Sequence, residues 1–242
     1  RTQMTQPLTG FSATARRAQD VPELLARAFT LFASQRPRPV HISIPIDVQA
    51  EQVDEDWQPV TLPGRPKADP EDIAKAVNWL KGANSPLIMV GGGACGAGAA
   101  LSDIAERTGA ILISSTAGKG IISDDHPLSL SASTVRPEVL HILSEADVIL
   151  AVGTELSETD SFVERMNFNG RIIRIDIDPS KINDVYPADL GIVADAQSSI
   201  QALCAALEEH RSSGVEAAKE RARIIRSEIR QGLGVSERQH VA

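Results

Sequence analysis

Cysteine is scarce: Cys95 and Cys204 are the only two in 242 residues, far apart and in no CxxC pair. That excludes a disulfide scaffold and a cysteine-rich zinc site, and makes a reducing, cytoplasmic setting the expectation. Aromatic residues make up 3% of the chain, too few for a stacking platform that holds bases or sugars. Positive charge is also short, with 24 Lys+Arg against 32 Asp+Glu and a net charge of −8. Nucleic acid is thereby excluded as a partner, because phosphate backbones need a positive field. No stretch approaches the ~20 consecutive apolar residues of a membrane span, so no membrane partner is expected. There is no GxSxG elbow, no HExxH and no EF-hand loop. The five histidines (His41, His126, His141, His210, His240) show no metal-ligand spacing.

What remains is 42% hydrophobic and 23% charged, the balance of a folded globular chain. Residues 20–34 carry an apolar stripe at helical spacing, with Asp20 and Glu23 placed as a capping box. Arg36-Pro37-Arg38-Pro39 ends that helix, and 40–44 alternates as a strand. Residues 46–68 combine acidic side chains with Pro59, Pro63, Gly64 and Pro66, the composition of a linker.

From Asp69-Pro70 onward, helical stripes alternate with short apolar runs at 87–90, 111–113, 148–152, 171–175 and 192–194. Uninterrupted apolar runs between helices predict an α/β fold, a doubly wound, mainly parallel sheet covered on both faces. Asp178 and Asp195 are placed to cap the helices that follow them. Residues 211–242 are basic, with Glu216/Lys219 and Glu220/Arg223 at helical neighbour spacing. They read as a solvated helix or as a surface for an acidic partner, with a linker beyond Gly232 and Gly234. The domain organisation read from this is 1–48, a linker at 49–68, a Rossmann-like domain at 69–209, and a helical connector at 210–242.

Ligands of open α/β sheets bind beyond the carboxyl ends of the strands, and four segments occupy such positions. Gly91-Gly92-Gly93-Ala94-Cys95-Gly96 formally matches GxGxxG, either for a pyrophosphate or for tight packing. Ser115-Thr116-Ala117-Gly118-Lys119-Gly120 offers hydroxyls and a cation for phosphate or ribose, or makes a sharp turn with a solvated lysine. Gly153-Thr154-Glu155 follows the 148–152 strand, and Asp176 ends a buried strand where a carboxylate needs partners.

In this order these segments resemble the thiamine-diphosphate-dependent enzymes of the acetolactate synthase, benzoylformate decarboxylase and pyruvate oxidase superfamily. The likeness rests on 36–48, 86–93, 116–120, 125–128, 146–154 and 175–179, and covers about residues 20–209. It implies the end of a pyrimidine-binding domain, a complete central domain, and a connector toward a pyrophosphate-binding domain. The family's catalytic glutamate would precede Arg1, and its Gly-Asp-Gly motif for magnesium and diphosphate occurs nowhere in the chain. The chain, which begins Arg1-Thr2-Gln3-Met4, is therefore expected to be a piece of a 2-oxo-acid carboligase or decarboxylase. On its own it is expected to be inactive, with no catalytic residue and no metal ligand.

In the acetolactate-synthase branch the central domain binds FAD, and in a related branch an adenine nucleotide. Those contacts would fall on Gly91, Gly92, Gly93, Ser115, Thr116, Gly153, Asp176, Ile177 and Asp195. Two departures favour a domain that holds neither. Ser131-Ala132-Ser133-Thr134 stands for the branch's Gly-Met-His-Gly, and Glu158-Thr159-Asp160 stands where it carries an arginine. The family's shared active sites imply a homodimer or homotetramer. The alternatives to this reading are a free-standing nucleotide-binding or regulatory module and a purely structural docking domain.

Overall fold

The computed structural model describes residues 2–239; His240 and the last two residues lie outside them. Chain contacts divide the protein into Arg1–Pro66 and Lys67–Ala242.

In the first unit, β1 (Phe11–Thr14) and β2 (Val40–Ser43) pair in parallel, Phe11 opposite Val40. A parallel pair needs a crossover, and α2 (Asp20–Ser34) supplies it. The short helices α1 (Thr2–Thr5) and α3 (Ile46–Gln49) flank the pair. The capping box expected at the start of α2 does not form. Asp20 is the first helical residue, and its carboxylate accepts the N–H groups of Arg16 (2.8 Å) and Arg17 (3.3 Å). The Arg16 N–H bond first, and next the Arg17 guanidinium bond (3.0 Å), hold its carboxyl below the usual aspartate range. Leu25 and Phe29 of α2 and Ile46 of α3 are exposed, because so small a unit cannot bury every apolar side chain it carries.

The second unit is a five-stranded parallel sheet in the order β4-β3-β5-β6-β7. The strands are β3 (Pro86–Val90), β4 (Ile111–Ser114), β5 (Val148–Val152), β6 (Arg171–Asp176) and β7 (Leu190–Val193). Successive side chains of a strand point to opposite faces, so each apolar run feeds two cores. Ile88, Val90, Leu150, Val152, Ile173 and Ile175 pack under α4 (Pro70–Gly82), α5 (Gly98–Thr108) and α8 (Ala196–Ala206). Leu87, Met89, Ile149, Ala151 and Ile172 pack on the other side, with α6 (Pro137–Glu145) and α9 (Val215–Gln239). This is the doubly wound parallel architecture expected from the sequence.

The outer edge of β4 is not left open. Leu112 N–H donates to Leu128 O (2.9 Å), and Leu130 N–H donates to Leu112 O (2.8 Å). The 128–131 segment thus lies alongside β4 as a further rib and satisfies its edge amides.

The helix caps follow the aspartates. Asp69 accepts Glu71 N–H (2.8 Å) and Asp195 accepts Ser198 N–H (3.0 Å). Asp178 caps the short helix expected after it, which is the 3-10 turn Pro179–Lys181. Gly82 is the last residue of α4.

The basic tail departs most from expectation. The backbone of α9 runs on through Gly232 and Gly234, where a linker was expected. The Lys219–Glu216 (2.7 Å) and Arg223–Glu220 (2.6 Å) pairs form on its exposed side, where solvent screening leaves such pairs little weight in stability. Its inner side buries Ala222 and Ile225 beside α6, α5 and β4. Arg226 fastens it further, donating to His126 O and Pro127 O (3.1 Å each). No described helix is long and apolar enough to cross a membrane.

Deleting the buried methylenes of Ile225 in an Ile225→Ala variant should cost about 2–4 kcal/mol in urea unfolding. A loss under about 0.5 kcal/mol, the level of a surface change, would show that α9 is not part of this core.

Candidate functional site

The strand order locates the site. From β3 the chain passes through α5 to β4 on one side, then returns past β3 to β5 on the other. Such a reversal leaves a crevice at the carboxyl ends of the two diverging strands, where open α/β sheets take ligands. The turn after β3 is Gly91–Gly93, and the turn after β5 is Gly153–Thr154.

These turns touch backbone to backbone. Gly91 N–H donates to Val152 O (2.9 Å), and Gly93 N–H donates to Gly153 O (3.0 Å). A Cβ on Gly91 would stand 2.2 Å from Gly153 O, and one on Gly153 would stand 2.6 Å from the Gly93 carbonyl carbon. Gly153 also has φ +56°, a left-handed backbone that L side chains adopt at a cost. On the other flank Gly118 lies against β3, where a Cβ would stand 2.1 Å from Val90 O. The glycines of three loops therefore serve close backbone packing, one of the two roles open to them in the sequence.

The candidate residues line this edge in strand order. Ser115 and Thr116 follow β4, Gly91–Gly93 follow β3, and Gly153 follows β5. Asp176 ends β6, half-buried Ile177 comes next, and Asp195 follows β7. Backbone bonds join neighbours along the row. Ser115 N–H donates to Val90 O (2.9 Å), Gly153 N–H to Ile175 O (2.8 Å), and Ala194 N–H to Asp176 O (3.1 Å). Asp176 is buried, and its Oδ1 accepts Asp178 N–H (2.9 Å).

Two groups of this edge make contacts that the sequence reading did not anticipate. Arg174, inside β6, is 1% exposed. Its Nη1 donates to Tyr186 O and its Nη2 to Thr154 O, each at 3.0 Å, so one guanidinium ties the β5 turn to the segment before β7. Burial lowers its pKa, while the carboxylates of Asp176, Asp184 and Glu155 oppose that shift. The signal was a charged residue at an inward position of Arg171-Ile172-Ile173-Arg174-Ile175. Beside it, Lys181 Nζ bridges Asp184 (2.9 Å) and Glu155 (3.3 Å), and the Asp184 bond does most to raise its pKa.

The second group is the strap that follows Gly153. It contains α7 (Glu158–Ser161) and two non-glycine residues with left-handed backbone, Leu156 (φ +52°) and Phe162 (φ +53°). Asp160 fastens it: Oδ1 accepts Thr116 N–H (2.9 Å), and its carbonyl accepts the Thr134 hydroxyl. Loop residues of this kind carry no periodicity from which such a contact can be read. Among the described residues no group of three or more His, Cys, Asp or Glu side chains is placed to hold a metal ion.

Residues 73–203 match the family model described as "Thiamine pyrophosphate enzyme, central domain". Among curated proteins, "Probable 2-ketoarginine decarboxylase" of Pseudomonas aeruginosa is 44% identical over 229 residues, 94% of this chain and 41% of that protein. Glyoxylate carboligase of Escherichia coli O157:H7 is 33% identical over 222 residues, 87% of this chain and 37% of that protein. The chain thus spans about two fifths of the length of these relatives. Among solved structures, benzoylformate decarboxylase from Polynucleobacter necessarius aligns with a TM-score of 0.73 at 19% identity, over 88% of this chain and 41% of that one. At that identity the likeness shows the fold.

Gly153→Ala combines a left-handed backbone, about 1–2 kcal/mol, with overpacking, about 1–3 kcal/mol. The expected loss in urea unfolding is therefore about 2–5 kcal/mol. A variant as stable as the parent would contradict the backbone contact between the two turns.

Proposed function

The chain belongs to the thiamine pyrophosphate enzymes, whose central domain it carries, and from that we propose that its whole protein decarboxylates a 2-oxo acid. The observation that carries this reading is the 44% identity, across 94% of the chain, to a protein named as a 2-ketoarginine decarboxylase. The carboligase relative stands at 33% over 87%. We take the 2-oxo acid of arginine as the first substrate to try.

Thiamine diphosphate, when bound, supplies the electron sink for the carbanion left by loss of CO2. This chain's residues do not fit that cofactor or its magnesium. The chain has no Gly-Asp-Gly, and no described cluster of side chains suits a metal. Its own part in our reading is mechanical. A sheet buried on both faces, with its carboxyl-edge turns locked together, is a stiff spacer between the domains that hold the cofactor. Residues 1–48 close one such domain, and 210–242 lead toward the other. The complete protein in this reading is a cytoplasmic homodimer or homotetramer, with active sites shared between subunits.

The test uses full-length protein with thiamine diphosphate and Mg2+, measuring CO2 release and coupled product from three 2-oxo acids. The expected result is decarboxylation of the 2-oxo acid of arginine, with kcat/KM at least about tenfold above pyruvate and glyoxylate, a difference of ~1.4 kcal/mol. The 242-residue chain alone should release none. Carboligation of pyruvate or glyoxylate as the main reaction would overturn the substrate class. Turnover by the isolated chain would overturn the spacer role.

A further inference from the structure

Nucleotide sites in α/β domains hold a pyrophosphate with free backbone N–H groups and local positive charge at the carboxyl edge of the sheet. The family resemblance implies flavin contacts at Gly91, Gly92, Gly93, Ser115, Thr116, Gly153, Asp176, Ile177 and Asp195, and the backbone N–H groups of the first six are the ones a pyrophosphate could use. In this structure five of those amides are already bonded within the fold. Gly91, Gly93, Ser115 and Gly153 donate to the carbonyls of Val152, Gly153, Val90 and Ile175. The fifth, Thr116 N–H, donates to a carboxylate, that of Asp160 at 2.9 Å.

Asp160 therefore supplies what a phosphate oxygen would bring to that amide, an anionic acceptor. Its backbone is held at both its carbonyl and its N–H, within a turn that closes on itself. Its carbonyl accepts the Thr134 hydroxyl, its N–H donates to Ser157 O (3.0 Å), and Phe162 N–H closes back onto Glu158 O (2.8 Å). It also lies in the Glu158-Thr159-Asp160 stretch, at the place where the flavin-binding branch carries an arginine. Where the resemblance implies a cation this chain carries acidic side chains, and an anion there would repel a pyrophosphate. Below the strap, the Gly91–Gly93 and Gly153 turns meet with no room for a Cβ, so the crevice between them is filled by the chain itself.

We infer that Asp160 is the resident anion of this edge: its carboxylate takes the amide a cofactor phosphate would use and fastens the 154–162 strap, leaving the central domain without a site for FAD or an adenine nucleotide. This holds whichever 2-oxo acid the enzyme processes.

The experiment uses purified full-length protein. Its visible spectrum is recorded for flavin, and equilibrium dialysis follows against FAD and ADP. No flavin absorbance and no saturable binding up to about 1 mM are expected. Hydrogen exchange of the peptide spanning residues 115–120 is then compared across variants. Asp160→Ala should speed exchange at least about tenfold, the ratio that corresponds to ~1.4 kcal/mol for one lost charge-assisted bond. Asp160→Asn keeps one acceptor oxygen and should give a smaller rise. Flavin bound near one per chain, saturable ADP binding at micromolar levels, or unchanged exchange in Asp160→Ala would each overturn the inference. So would an asparagine variant that exchanges as fast as the alanine one.

Discussion

The constraint on which the structure depends is the backbone contact between the turns that leave β3 and β5. Parallel strands sit about 4.8 Å apart in their ladder and diverge beyond it as the sheet twists. Where the chain reverses direction across the sheet, that divergence ordinarily opens a crevice. Gly91, Gly93 and Gly153 carry no Cβ, so here the two turns stay in hydrogen-bond contact past the ends of the strands. With the turns locked, the rest of the edge follows in register. Val90 O holds Ser115, Ile175 O holds Gly153, and Asp176 O holds Ala194. A row of loops becomes a continuous ridge.

The charges of this edge work to the same end. Arg174 sits inside the core on the α6 and α9 side, where an uncompensated cation would be costly. Its guanidinium is satisfied by the carbonyls of Thr154 and Tyr186 and is balanced by nearby carboxylates. It thereby joins the β5 turn to the β6–β7 connection. Asp160 joins the strap to the loop after β4. Both are charged groups whose bonds fix loops, in keeping with the spacer role proposed for this domain.

Much of the second unit was legible in the sequence because its physics is local and repetitive. Uninterrupted runs such as Leu87-Ile88-Met89-Val90 suit a strand buried on both faces and little else. Asp69-Pro70 and Asp195 mark helix starts through bonds made within three residues. The first unit was less legible. β1 and α1 carry weak patterns and owe their form to pairing with β2, about thirty residues away. Asp20 has a capping residue's chemistry but faces backward to Arg16 and Arg17, a choice between two nearby sets of amides. Gly232 and Gly234 suggested a helix end, yet packing of Ala222 and Ile225 and the Arg226 bonds carry α9 past the cost of two glycines. Within the site, the order of loops along the edge was legible. What fills the space between them was not, because Gly91–Gly153 and Asp160–Thr116 are contacts between residues 44 to 62 positions apart.

The edge from Ser115 to Asp195 is joined by backbone hydrogen bonds between its loops. The most direct measurement is residue-resolved amide exchange at Gly91, Gly93 and Gly153, with and without added FAD or ADP. With those amides bonded within the fold, exchange should occur only through global unfolding, as slow as in the core strands and indifferent to nucleotide. Fast exchange at these glycines, or protection gained when nucleotide is added, would contradict it.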